Sequence, residues 1–160
     1  MKRVLVSVGV GLACLVASIL VFAMAARFAD GPLGPFPGGP MSGESVAEPV
    51  RDWTGVLERD RQLELQVNPS APRSITTTSI VHEGRLYAPS LSAARKRWPA
   101  EVENDPRVIL RIDGRLHPRR AVRVTDPDEL RALVRDVDGD PNGDLSQLGT
   151  WYFRLDPPAE

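Results

Sequence analysis

Arg95-Lys96-Arg97 is a dense cationic cluster, and Trp98 follows it directly. Guanidinium groups grip phosphate through a two-pronged fork, and a lysine ammonium attracts it as a point charge. Ser92 and the run Thr76-Thr77-Thr78 supply the hydroxyl donors that such a site would add. Trp98 offers a flat face for an aromatic ring. The plainer reading of the same residues is a solvated, arginine-rich loop.

A second candidate is acidic. Asp138, Asp140 and Asn142 stand at the oxygen-ligand spacing of the first half of an EF-hand loop, with Gly143 at the turn and Leu145 at the apolar position. Gly149 occupies the twelfth position, where a bidentate glutamate belongs, and Pro141 interrupts the loop. Residues 138–149 are therefore expected to form an ordinary surface turn, with calcium as the other reading.

Other chemistries lack residues. The chain has two histidines, His82 and His117, both in strand-like sequence without a partner at metal-ligand spacing. Its single cysteine, Cys14, lies in an apolar run. This leaves no intramolecular disulfide, no Ser-His-Asp or Cys-His set, and no metal site from His and Cys. No nucleic-acid-binding motif is present. The formal net charge is -1, but the charges are uneven. Ten Lys/Arg face four Asp/Glu from Arg85 to Arg123, and three face nine from Val124 to Glu160. A basic middle thus meets an acidic end.

These residues need a scaffold, and 160 residues suffice for one domain plus its termini. The run from Val4 to Ala26 is uncharged and apolar. At ~1.5 Å per residue it makes roughly 35 Å of helix, enough to cross a hydrocarbon core of about 30 Å. A cleaved signal peptide and a lipoprotein signal at Leu12-Ala13-Cys14 are the competing readings, although the run is longer than the usual signal core. Residues 1–27 are read as a single-pass anchor whose bilayer contact is residues 4–26. Lys2 and Arg3 before the run place the N-terminus in the cytoplasm and the domain outside it. Residues 28–49 are rich in Gly and Pro, as in a semi-extended tether, with Phe36 and Met41 able to tuck onto the domain.

Residues 50–158 carry strand signals. Trp53 to Leu57 is read as a first strand, and Leu63, Leu65 and Val67 alternate with polar residues in a second. Ser74 to His82 is β-prone, and Glu83-Gly84 turns it into Arg85 to Ala88, which Pro89 ends. Three consecutive threonines must point to both faces, so one face is wet, paired or lining a pocket. Pro99 suits the first turn of a short helix through Asn104, with Trp98 and Val102 sharing a face. Val108, Leu110 and Ile112 mark a strand with a basic opposite face, and Asp113-Gly114 is a two-residue hairpin signal. Asp126 caps a second helix, with Pro127 at its first position and Glu129 closing a capping box. Trp151, Phe153 and Leu155 alternate in a last strand. The expected class is α+β: a mainly antiparallel sheet closed into a barrel, with two short helices after one transmembrane helix.

Three segments resemble the pyridoxamine-phosphate-oxidase-like split β-barrel superfamily. They are RSITTTSIVHEGRLYAPS, KRWPAEVENDPRVILRIDGRLHPRRAVRVTD, and the capped helix followed by WYFRLDP. The resemblance covers roughly the last two thirds of the chain. It implies a domain that binds FMN or deazaflavin and commonly forms a homodimer with the pocket between subunits. It also implies that the flavin phosphate is held by the Thr-rich strand and the basic loop, at Thr76, Thr77, Thr78, Ser79, Arg95, Lys96 and Arg97, with Trp98 or Tyr87 bordering the ring. Two departures stand out. The strand lacks the proline and large apolar residues of cofactor-binding members, and no clear Ser-x-Lys spacing follows Tyr87. A membrane-tethered barrel that binds or assembles without a cofactor is the alternative.

Overall fold

The computed structural model describes residues 2–57, 61–138 and 149–158. Helix α1 spans Lys2–Ala26, and its apolar side chains are exposed along most of its length. It is long and apolar enough to cross a membrane. Its last residue, Ala26, is buried against the domain, and Phe22 meets Phe36 edge to face.

Eight strands form one sheet: β1 (Glu44–Ser45), β2 (Gln62–Val67), β3 (Arg73–Thr78), β4 (Ile80–His82), β5 (Arg85–Ser90), β6 (Arg107–Ile112), β7 (Arg115–Arg123) and β8 (Trp151–Asp156). The order is β3-β2-β6-β7-β8-β5-β4, all antiparallel, with β1 added in parallel against the start of β7. The two ends of this path, β3 and β4, are consecutive in sequence and separated only by Ser79. The sheet must therefore curl until its first and last strands meet. Ser79 is fully buried at that corner and donates its backbone N–H to the Arg61 carbonyl.

The curl encloses the main core. Leu63, Leu65 and Val67 of β2 point inward with Val108 and Leu110 of β6 and Phe153 and Leu155 of β8. Helix α2 (Arg97–Asn104) plugs one opening with Trp98 and Val102, and the Trp98 ring lies 4.9 Å from that of Phe153. Helix α3 (Pro127–Asp138) lies on the outer face, where Leu133 and Val134 pack on Ile80, Tyr87 and Tyr152. Asp126 caps α3 by accepting the backbone N–H groups of Asp128 and Glu129 at 3.0 and 2.8 Å. The Glu129 side chain does not close a capping box. It accepts from Tyr87 and Arg154 instead, which ties the helix to β5 and β8. Asp113 and Gly114 have φ of 50° and 76°, and Glu83 and Gly84 have 48° and 73°. Positive φ at both central residues is what tight hairpins require.

Several expectations need correction. Residues 53–57 form a turn rather than a strand. Asp52 Oδ1 accepts the Thr54 N–H at 2.8 Å and bends the chain, and Trp53 reaches the core from that bend. The run from Ser74 to His82 breaks at Ser79. Strand β5 continues through Pro89 to Ser90, paired to β8. Beyond Tyr87 no residue of β4 lies opposite, so Pro89 needs ladder bonds on one side only.

Residues 28–49 are more than a tether. Gly38 and Ser74 exchange backbone hydrogen bonds of 2.9 and 3.1 Å, which covers the free edge of β3. A Cβ on Gly38 would overlap the Gly31 carbonyl oxygen, so glycine is what lets the two passes of this strap lie together. Met41 is buried, and its N–H donates to Gln66 Oε1 at 2.7 Å. Arg111 on β6 fastens the strap. It bonds Glu64 Oε2 at 2.5 Å, Asp30 Oδ1 at 2.6 Å, the Asp30 carbonyl at 3.1 Å and the Ser42 carbonyl at 3.4 Å.

Candidate functional site

Strap, edge strand and the loop before α2 meet around a groove of about 370 Å³. Its walls are Gly34, Pro35 and Pro37 from the strap, Arg73, Ile75 and Thr76 from β3, and Lys96, Arg97 and Trp98 at the start of α2. The volume falls at the small end of ligand pockets. Because β3 is an edge strand, residues from both of its faces reach the groove.

Glu101, one turn into α2 and 11% exposed, organises the cations. Its Oε2 lies 2.7 Å from Arg73 Nη2, and its Oε1 lies 2.8 Å from Arg97 Nε. Arg73 is thereby held near the groove floor, whereas Arg97 remains 71% exposed. Among the described residues Lys96 has no ion-pair partner. Three cations against one carboxylate leave the groove cationic, which suits a phosphate dianion. Helix α2 begins here with no side-chain cap, so its amino-terminal partial charge adds to the field. The Thr76 hydroxyl donates to the Gly34 carbonyl at 3.2 Å and marks the seam between strap and barrel.

Of the residues expected from sequence, Thr76, Lys96, Arg97 and Trp98 come together here. The others lie elsewhere. The Thr77 hydroxyl donates to the Pro89 carbonyl at 3.1 Å, Thr78 sits at the end of β3, and Ser79 is buried at the corner. Arg95 is exposed at the end of a single 3₁₀ turn, outside the groove walls. Trp98 is only 4% exposed with its ring packed in the core, so it offers no open stacking face. Tyr87 lies on the α3 side with its hydroxyl on Glu129. Burial and that carboxylate push its pKa up to about 12. Sequence reasoning missed Arg73 and Ile75, which flank the threonine run, and the strap residues. The available signal was Arg73 itself, a cation at the head of the strand already singled out.

A second polar feature lies in the barrel interior. Arg119 is 2% exposed, its guanidinium stands 5.0 Å from the Trp53 ring centroid, and its three side-chain nitrogens have no hydrogen-bond partner. Burial lowers its pKa. His117 lies beside Trp53 at 5.8 Å between ring centroids, and its pKa is lowered by burial, then by Arg119 and Arg115. The pair holds a positive charge against an indole face, an attractive arrangement when water is excluded.

Among the described residues no three His, Cys, Asp or Glu side chains gather as a metal site. Most of the acidic loop of 138–149 lies outside the described residues. His82 pairs with Asp136 at 2.7 Å, and Cys14 is exposed on α1.

No family model and no curated protein matches the chain. Solved structures do. A pyridoxamine 5'-phosphate oxidase-like protein from Listeria innocua is 18% identical over 61% of this chain and 84% of that one, with a TM-score of 0.48. The heme storage protein HutZ from Vibrio cholerae is 20% identical over 64% and 84%, with a TM-score of 0.46. A FAD-binding protein from Mesorhizobium loti is 19% identical over 66% and 87%, with a TM-score of 0.45. At these identities the likeness concerns the general shape of the fold, and the site above rests on the chain's own residues.

Proposed function

We propose that the chain is a single-pass membrane protein whose domain binds a phosphate-bearing flavin, FMN or a deazaflavin, in the groove between strap and α2. The observation that carries this reading is the convergence of Arg73, Lys96 and Arg97 on one groove with only Glu101 to balance them. The donor set fits the phosphate end of such a molecule, and Pro35, Pro37 and Ile75 give an apolar wall for the rest. When bound, the cofactor supplies hydride chemistry. The chain's residues bind and orient: Lys96 and Arg97 neutralise the phosphate, and Glu101 keeps Arg73 and Arg97 apart at a fixed spacing. In this reading α1 crosses the bilayer with the N-terminus in the cytoplasm and the domain outside it, and the domain forms a homodimer.

One observation favours the second reading, a tethered binding or assembly module without a cofactor. No carboxylate, histidine, cysteine or tyrosine lines the groove among the described residues, which leaves Lys96 as its one side chain able to act as a general acid or base.

The deciding experiment is the absorbance of the full chain purified in neutral detergent, followed by titration with FMN and a deazaflavin. A flavin spectrum, or saturable quenching of tryptophan emission through Trp98, supports the first reading. The Lys96→Ala/Arg97→Ala variant should then bind at least tenfold more weakly, from the loss of two charge-assisted contacts. A colourless protein whose emission no flavin quenches leaves the second reading standing. Sedimentation of the same sample tests the homodimer.

A further inference from the structure

The end of α1 does not hang free above the domain. The Ala29 carbonyl accepts the Gly39 N–H at 3.0 Å, and Ala26 is buried, so the last helical turn is joined to the strap without a spacer. A second groove of about 440 Å³ opens at this junction, beside the first. Met24 and Phe28 form its apolar side and Arg27, Arg73 and Arg97 its basic side. Met24 is 68% and Phe28 88% exposed, which is unfavourable in water and natural at a lipid boundary. Arg27 has no ion-pair partner among the described residues, and Glu101 is the one carboxylate bound to Arg73 and Arg97 there.

Geometry sets the depth of these groups. An apolar helix of roughly 35 Å that starts after Lys2 and Arg3 and spans about 30 Å of hydrocarbon ends at the headgroup layer. Met24 and Phe28 then lie at the boundary of the acyl chains, and the three arginines lie at the level of lipid phosphates.

We infer that this junction is a binding site for the headgroup phosphate of an anionic phospholipid, with Arg27, Arg73 and Arg97 around the phosphate and Met24 and Phe28 against the glycerol and upper acyl carbons. The site rests on the reading of α1 as a membrane span; it shares Arg73 and Arg97 with the flavin groove, so the two ligands compete for them, and it differs in using Arg27 and the helix end. The site fixes the height and tilt of the barrel over the bilayer and leaves the neighbouring groove facing the membrane surface.

The test uses the full chain in neutral detergent, titrated with short-chain phosphatidylglycerol, short-chain phosphatidylcholine or inorganic phosphate while thermal unfolding is followed. Phosphatidylglycerol should raise the midpoint saturably, and the other two should not. Arg27→Gln should require about tenfold more phosphatidylglycerol for half the effect, and Arg27→Lys, which keeps the charge, should require far less. Arg27 is exposed, so neither change disturbs the core. Equal effects of the two lipids, or an Arg27→Gln protein as responsive as the parent, overturn the inference. An equal effect of inorganic phosphate assigns the site to a free anion and overturns the lipid. A carbonate wash of vesicles containing the protein separates the two levels. Release from the vesicles sinks the membrane span and this site with it, whereas retention without a phosphatidylglycerol preference sinks only the site.

Discussion

Replacing Arg111 with glutamine should free the strap while leaving the barrel folded. Arg111 is 15% exposed and is the residue through which β6 reaches both ends of the strap, at Asp30 and at Ser42. Its bonds to the Asp30 and Ser42 carbonyls, at 3.1 and 3.4 Å, are worth about 1 kcal/mol for the first and roughly half that for the longer second. Together they make about 1.5 kcal/mol, or a little over tenfold in the population of strap-open molecules. The Asp30 carboxylate adds in the same direction. The barrel loses the cross-strand Glu64–Arg111 pair, but Glu64 is a third exposed and remains hydrated, so that loss stays within about 1 kcal/mol. Limited chymotrypsin digestion reads the strap, since Phe28, Leu33 and Met41 all lie in it and none of them precedes a proline. Cleavage of the variant there should be tenfold or more faster, with the barrel fragment resistant in both proteins. The Asp30 pKa lies near 2, held down by the hydroxyl and N–H of Ser42 and then by Arg111. A lowered carboxylate pKa stabilises above its ordinary value of 3.8 and loses that contribution as pH falls toward 2. Protection of the parent strap should therefore fade over that interval, read there with pepsin, which cuts at Phe and Leu at acid pH where chymotrypsin is inactive. Equal cleavage rates for parent and variant would show that something other than Arg111 holds the strap.

Three further outcomes follow from other contacts. Asp126→Ala removes the acceptor for two amides at the start of α3 and should cost about 1 kcal/mol in chemical denaturation, with Asp126→Ser largely restoring it. Glu129→Ala should cost more, about 2–3 kcal/mol, because it strands the Tyr87 hydroxyl and one side of Arg154 while both are partly buried. It should also bring the Tyr87 phenol back toward 10, readable by ultraviolet pH titration. His117 is depressed below its ordinary pKa, so the unfolded chain binds its proton first. Stability should fall as pH drops below about 6.5 and level off above it. His117→Phe should flatten that slope, and an unchanged slope would assign it elsewhere.

What the sequence made legible was what local chemistry decides. The paired turn residues, the Pro99 and Asp126 helix starts and the alternation in β2, β6 and β8 all act within a few residues, and each stands where expected. The failures share a different cause. Trp53 looks like a strand residue by propensity, but the Asx turn at Asp52 overrides it, and a buried indole needs only a way in. Pro89 stays in a strand because its neighbour β4 has already ended. Residues 28–49 look like a tether because glycine and proline report a lack of regular structure. Whether such a segment docks depends on Arg111 and on the β3 edge, far away in sequence. For the same reason half of the groove was visible and half was not. Lys96, Arg97 and Thr76 advertise anion binding by type, whereas Pro35 and Pro37 become walls only once the strap lies down.

That dependence couples the anchor to the ligand site. The groove has one wall on the strap and two on the barrel, and the strap runs directly into the last turn of α1. Arg111 does not line the groove, yet releasing the strap removes Gly34, Pro35 and Pro37 from it. Arg111→Gln should then weaken ligand binding by a factor set by the open fraction of the strap, and by no more than the loss seen when residues 28–45 are deleted. If the strap is closed most of the time even in the variant, affinity changes little while proteolysis accelerates, because occupancy follows the majority state and cleavage follows the minority. A large affinity loss accompanied by unchanged proteolysis would break the link between strap and groove.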